Sequence, residues 1–227
     1  MNQEFLQWVQ NWTEKLPSRV FEDFDEPEKI AVISVDMVNG FCHKGALASK
    51  EVEHIIPNVV NVFKKAKNYG VNHFLLLEDA HSQNAEEFTA YPPHCIKGTE
   101  ESETIPEIAN LSFAKEFQIF KKNAWSPAYD TTIDTYIKDH HKLDTFILIG
   151  DCTDICVYAM ALHLRMQSFA NNIKRRIIVV ANSVATYDMP IKTAEELKVM
   201  PHDAKTLHAI FLYHMALNAI EVIKEIK

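Results

Sequence analysis

The strongest constraint this chain places on its own fold is an alternation. Short apolar runs of strand length, each stopped by a polar residue or a glycine, are separated by stretches whose apolar residues recur at helical spacing. Lys29 to Asp36 (KIAVISVD) is the first such run and reads as a strand buried on both faces. Residues 50 to 69 follow, with Ile55, Ile56, Val59, Val60, Val62 and Phe63 at helical spacing and Gly70 as the stop. Val71 to Glu78 (VNHFLLLE), Glu116 to Lys121, Asp144 to Gly150 and Arg175 to Ala181 (RRIIVVA) are the further strands, while Thr131 to His141, Asp154 to Phe169, 191 to 199 and 202 to 225 are the further helices. Strands alternating with helices, joined by connections long enough to cross over, predict a doubly wound α/β fold: a mostly parallel sheet with helices on both faces. In such a sheet ligands bind outside the carboxyl ends of the strands. Here that edge is Asp36, Asp79, Lys121-Lys122 and Gly150-Asp151.

A chain of 227 residues, 47% hydrophobic, fits one α/β unit of five or six strands and has apolar residues enough for a substantial core. Phe5, Leu6, Val9, Trp12 and Leu16 add a short N-terminal helix, followed by a charged linker from Glu22 to Lys29, so residues 1–227 read as a single domain with a helical extension over about 1–28. Its 23 basic and 31 acidic residues leave a net charge of −8, and the basic residues occur in nothing longer than Lys174-Arg175-Arg176, which argues against a nucleic-acid partner. The N-terminus has no basic and apolar leader, and no stretch approaches the roughly 18 apolar residues of a membrane span. The expectation is a soluble cytoplasmic protein with no membrane partner, for which a homo-oligomer stays open. Four cysteines (Cys42, Cys95, Cys152, Cys156) without a secretion signal imply reduced thiols.

Cys156 follows the strand that ends at Gly150 and stands where a helix begins, and the positive end of a helix favours thiolate over thiol. Asp36 ends the first strand; a carboxylate there serves an Asx turn or a helix cap as well as it serves chemistry. With Lys122 at the end of another strand, the sheet edge carries a thiol, a proton acceptor and a cation, the parts of an activated nucleophile. In the polar stretch from Asp79 to about Ser102, Asp79 and His81 lie two apart, so in extended chain both point one way, and His94 returns from the loop. Two histidines and a carboxylate suit a catalytic-type divalent ion, and an ordinary surface loop equally. Cys42 and Cys95 have no neighbouring base in sequence and read as spectator thiols.

The segments IAVISVDMVNGFCHKGAL, EDAHSQ with YPPHCIKGTE, KKNAWSPAY and LIGDCTDICV, in that order over roughly residues 30 to 185, resemble the isochorismatase-like cysteine hydrolases, and among them the nicotinamidases. The resemblance implies a Rossmann-like three-layer α/β/α fold and a small-molecule amide substrate. It implies a catalytic triad of Asp36, Lys122 and Cys156, with Lys122 preferred to Lys121 because Lys122-Asn123-Ala124-Trp125-Ser126 follows the family order. It implies an oxyanion hole from the backbone N–H groups of Cys152 and Cys156, with a cis peptide between Asp151 and Cys152. It also implies a divalent metal (Zn, Fe or Mn) on Asp79, His81 and His94, to which Glu87 either adds a ligand or stays a solvated loop residue. Phe41, Tyr91 and Tyr129 match ring-pocket positions, with core packing the plainer alternative, and Trp125 reads as structural. Val38 and Gly40 depart from the polar residues frequent in the family, and Asp151 stands where an apolar residue is usual. Two alternatives remain: a related hydrolase of another small amide or ureido compound, and a non-catalytic binding protein.

Overall fold

The computed structural model describes residues 2–227. Six strands, β1 (Ile30–Val35), β2 (His73–Asp79), β3 (Gln118–Lys122), β4 (Thr145–Asp151), β5 (Arg176–Ala185) and β6 (Glu221–Ile223), form one sheet in the order β3-β2-β1-β4-β5-β6. All five pairings are parallel. The helices are α1 (Gln3–Glu14), α2 (Asn39–Cys42), α3 (Lys50–Tyr69), α4 (Pro106–Ala109), α5 (Ile133–Asp139), α6 (Cys156–Ala170), α7 (Ile191–Leu197) and α8 (Ala204–Leu217).

The strands are apolar at successive positions because alternate side chains enter two different cores. Val32, Phe74, Leu76, Ile147 and Ile149 pack with Val59, Val62 and Phe63 of α3 on one face. Ile33, Leu75, Leu77, Phe146 and Leu148 pack with Val157, Met160 and Leu164 of α6 and with Leu212 and Met215 of α8 on the other. The result is the three-layer α/β/α arrangement that the alternation of elements predicts. The N-terminal helix joins the second layer: Phe5, Trp8 and Trp12 of α1 meet the Tyr213 ring of α8 edge-on, with centroids 5.4, 5.7 and 5.9 Å away. Among the described residues no helix is long and apolar enough to cross a membrane.

One expected element is different. The predicted helix over 202 to 225 stops at Leu217, and Glu221–Ile223 becomes the edge strand β6 beside β5. Ala219 adopts a positive φ of 60°, which ends the helix, and the β-branched pair Val222-Ile223 then suits a strand. The spacing of Leu217, Ile220 and Ile223 mimics a continuing helical face, so periodicity alone could not reveal the break. β5 also runs four residues beyond the predicted Ala181, to Ala185.

The strand order reverses between β1 and β4, and a crevice opens at their carboxyl ends. Gly150 sits at this point, paired with Val35, with a φ of +110°. A Cβ there would lie 2.0 Å from the Val35 carbonyl oxygen and 2.8 Å from its nitrogen, backbone atoms of the central strand. Gly150→Ala is therefore expected to destabilise the protein by more than about 3 kcal/mol, through strain added to a steric clash. Urea unfolding followed by circular dichroism measures it, and a loss below about 1 kcal/mol would contradict this account.

Candidate active site

Sheet register brings the polar ends of four strands to one level. Val35 pairs with Leu77 and with Gly150, and Asp79 pairs with Lys122, so Asp36, Asp79, Lys122 and Asp151 stand side by side at the carboxyl edge. Lys122 is 1% exposed. Its Nζ lies 2.8 Å from Asp36 Oδ2 and 3.8 Å from Cys156 Sγ, and it is paired closely with Asp79 Oδ1. A buried ammonium is tolerated only with such partners. Burial opposes its charge, but the Asp36 and Asp79 carboxylates outweigh that and hold its pKa well above the usual lysine value. Strand alternation sends Lys121 the other way, to Glu78 Oε2 at 2.8 Å.

Asp36 has a positive φ of 52°, a conformation Asp adopts more readily than most residues. Its Oδ1 accepts the Asp79 N–H at 2.8 Å, so the carboxylate faces the neighbouring strand and the lysine. Burial, reinforced by the nearby Asp79 carboxylate and opposed by Lys122, pushes Asp36 up to about 7. Cys156 opens α6, where the first N–H groups have no intrahelical acceptor. Burial keeps its thiol well above the normal range despite the pull of Lys122. The Asp151–Cys152 peptide is cis.

The second cluster grows from Asp79. Its Oδ2 lies 3.3 Å from His81 Nε2 and 3.8 Å from His94 Nε2, while Glu87 Oε1 lies 3.7 and 3.9 Å from the same two nitrogens. One ligand atom from each of Asp79, His81, Glu87 and His94 falls within 4.8 Å of all the others. Backbone bonds bring the loop home: the His81 N–H donates to the Cys95 carbonyl at 3.0 Å and the Lys97 N–H to the His81 carbonyl at 2.9 Å. His94 Nδ1 donates to the Pro92 carbonyl at 2.9 Å, which leaves Nε2 free to ligate. The residues fit a divalent ion, because His81 is wholly buried with neither ring nitrogen hydrogen-bonded, an arrangement otherwise costly. Burial would raise Asp79, but Lys122 and the imidazoles hold its carboxyl far below the usual range.

Both clusters face one cavity. Phe41 and Tyr91 line it as expected from sequence. Tyr129 does not; it is 72% exposed, because the 126–132 segment turns out to solvent. Trp125, read as structural, lines the cavity and lies edge-on to Tyr91 with centroids 6.2 Å apart. Asp151, expected at this sheet edge, lines it too, and Leu47, Val52 and Tyr187 do so without having been anticipated. Tyr187 lies just past β5 and stacks on His202 with centroids 3.9 Å apart, and His202 Nε2 reaches Asp154 Oδ2 at 2.8 Å. The wall formed by Tyr187 is thus tied to the turn that carries Cys156. No sequence motif marks it, because the two contacts join residues 15 and 48 apart.

The isochorismatase domain model matches residues 30–204. Nicotinamidase 1 of Arabidopsis thaliana is 28% identical over 236 aligned residues, covering 94% of this chain and 95% of that protein. The crystal structure of N-carbamoylsarcosine amidase from Thermoplasma acidophilum superposes with a TM-score of 0.65 at 26% identity, over 86% of this chain and 96% of that one. The pyrazinamidase of Pyrococcus horikoshii, solved in complex with zinc, shares the fold with a TM-score of 0.65 at 21% identity, over 86% and 99% of the two chains.

Thr153, between Cys152 and Cys156, has its Oγ1 2.9 Å from Nδ1 of His208 on α8. Burial, opposed by Asp154, pushes His208 down from 6.5 to about 4. The native state therefore holds this imidazole neutral while the unfolded chain binds a proton, so its contribution is complete above pH 6.5 and is lost as pH falls from 6.5 towards 4. Urea midpoints compared across that range should decline more steeply for the wild type than for His208→Gln; parallel declines would refute the assignment.

Proposed function

The chain belongs to the isochorismatase family, and on that premise we propose that it is a metal-dependent cysteine amidohydrolase converting nicotinamide to nicotinate and ammonia through a thioester on Cys156. The observation that carries this reading is the buried triangle of Asp36, Lys122 and Cys156 opening on a cavity whose next wall is the Asp79, His81, Glu87 and His94 cluster. The 28% identity with a plant nicotinamidase along nearly the whole chain supports the choice of substrate.

The thiol proton passes to Asp36, and Sγ attacks the carboxamide carbon. Lys122 stabilises both the carboxylate before the transfer and the thiolate after it. Negative charge developing on the amide oxygen is met by the backbone N–H groups of Cys152 and Cys156. The C–N bond breaks as Asp36 returns its proton to nitrogen, and ammonia leaves. Water then attacks the thioester, giving one proton to Asp36, and the C–S bond breaks to release nicotinic acid and the Cys156 thiolate; the thiolate regains the proton from Asp36, and the acid loses its own to the released ammonia, giving nicotinate. Asp79, His81 and His94, with Glu87, would hold a divalent ion, which supplies a Lewis-acid anchor for a pyridine nitrogen. Phe41, Tyr91 and Trp125 offer aromatic surface to the ring. We place the reaction in the cytoplasm, a reading supported by four cysteines that are all free and buried. Residues 1–227 form a single hydrolase domain in this reading, matched by the family over 30–204, and α1, in an extension over about 1–28, braces α8.

Purified metal-loaded protein is expected to release ammonia from nicotinamide, and Cys156→Ala to lower kcat by roughly a thousandfold or more. Release from a carbamoyl compound but not from nicotinamide would keep the class and overturn the substrate. Mass-spectrometric metal analysis is expected to find about one divalent ion per chain, and His81→Ala should lose most of it. Full activity in thoroughly chelated protein would remove the metal from the proposal.

A further inference from the structure

Four acids line the cavity, and three of them are engaged. Asp36 has Oδ1 on the Asp79 N–H and Oδ2 at Lys122. Asp79 divides its oxygens between Lys122 and the two histidines, and Glu87 faces those same histidines. Asp151 is the exception: among the described residues it forms no ion pair, although it is 1% exposed. Its Oδ2 receives only a weak contact from the Cys152 thiol at 3.6 Å, and its Oδ1 has no hydrogen-bond partner. A buried oxygen left without a donor is unfavourable, and where it borders a ligand cavity the ligand is the natural donor. Burial, with the nearby Asp36 carboxylate adding to it, pushes the Asp151 carboxyl well up.

Position decides which substrate atom it meets. Asp151 follows Gly150, the partner of Val35, so it stands across the β1/β4 junction from Asp36, the group that delivers a proton to the leaving nitrogen in the reading above. It also directly precedes Cys152, whose N–H is assigned to the amide oxygen. With that oxygen occupied at Cys152 and Cys156, the amide group has only its N–H bonds left to offer. We propose that Asp151 is a substrate-positioning residue whose free Oδ1 accepts an N–H of the amide under attack, selecting amides over other acyl compounds. The inference rests on the amidohydrolase reading. An apolar residue in its place would leave the amide N–H unpaired in a closed cavity, whereas an ester would lose nothing.

The test pairs two substrates with one acyl group: nicotinamide, and methyl nicotinate, which has no N–H. Wild type, Asp151→Val and Asp151→Asn are compared by ammonia and methanol release, with thermal unfolding to check that each is folded. In Asp151→Val, kcat/KM for the amide is expected to fall about tenfold more than that for the ester, the size of one hydrogen bond. Asp151→Asn keeps an acceptor oxygen at the same place and should restore most of the amide-to-ester ratio. Equal losses on both substrates in a folded Asp151→Val, or an amide-to-ester ratio in a folded Asp151→Asn no better than in Asp151→Val, would overturn the proposal. Wild-type protein that cleaves neither compound would instead overturn the nicotinamide-hydrolysing reading beneath it.

Discussion

A lysine ammonium enclosed between two carboxylates at the carboxyl edge of the sheet is the interaction on which the rest of the site depends. Lys122 can be buried because Asp36 and Asp79 neutralise it, and removing either would leave a buried charge imbalance that costs about 3 to 5 kcal/mol in comparable cases. The pairing also orders three strands, since the partners terminate β1, β2 and β3. Asp79 carries a second duty with its other oxygen, turned to His81 and His94. The thiol cluster and the carboxylate–histidine cluster are therefore one connected network.

Topology explains why this network lies beside an opening. With strand order β3-β2-β1-β4-β5-β6, the crossovers leave β1 in one direction and β4 in the other, so a crevice opens at the junction. Gly150 lets the two backbones approach there, and the chain then turns through Asp151 to Asp154 into α6 with Cys156 at its start. The far wall depends on longer reach. His202 ties Tyr187 to Asp154, so the turn leading to Cys156 and the aromatic wall are held against one another.

Much of this was legible because strand chemistry is local. A run such as Ile30–Val35 must be buried on both faces, and its terminating Asp36 must then lie at an edge. Alternation separates Lys121 from Lys122, and the two-residue step from Asp79 to His81 is written in the chain. The C-terminal strand β6 was not legible, because Leu217, Ile220 and Ile223 fit a helical stripe and the left-handed turn at Ala219 needs no glycine to announce it. The exposure of Tyr129 was likewise hidden, since the direction of an irregular segment is set by what it packs against.

By itself the amino-acid sequence determined the layered sheet, its polar carboxyl edge and the strand-end positions of Asp36, Asp79 and Lys122, because hydrophobic periodicity and side-chain alternation act over neighbouring residues. Only the tertiary structure decided that Glu87 and His94 converge with Asp79 and His81, that Trp125 and Tyr187 wall the cavity, and that Asp151 presents an unpaired oxygen to it. Those relations join residues far apart in the chain, and they arise from packing and hydrogen bonding that no local pattern encodes.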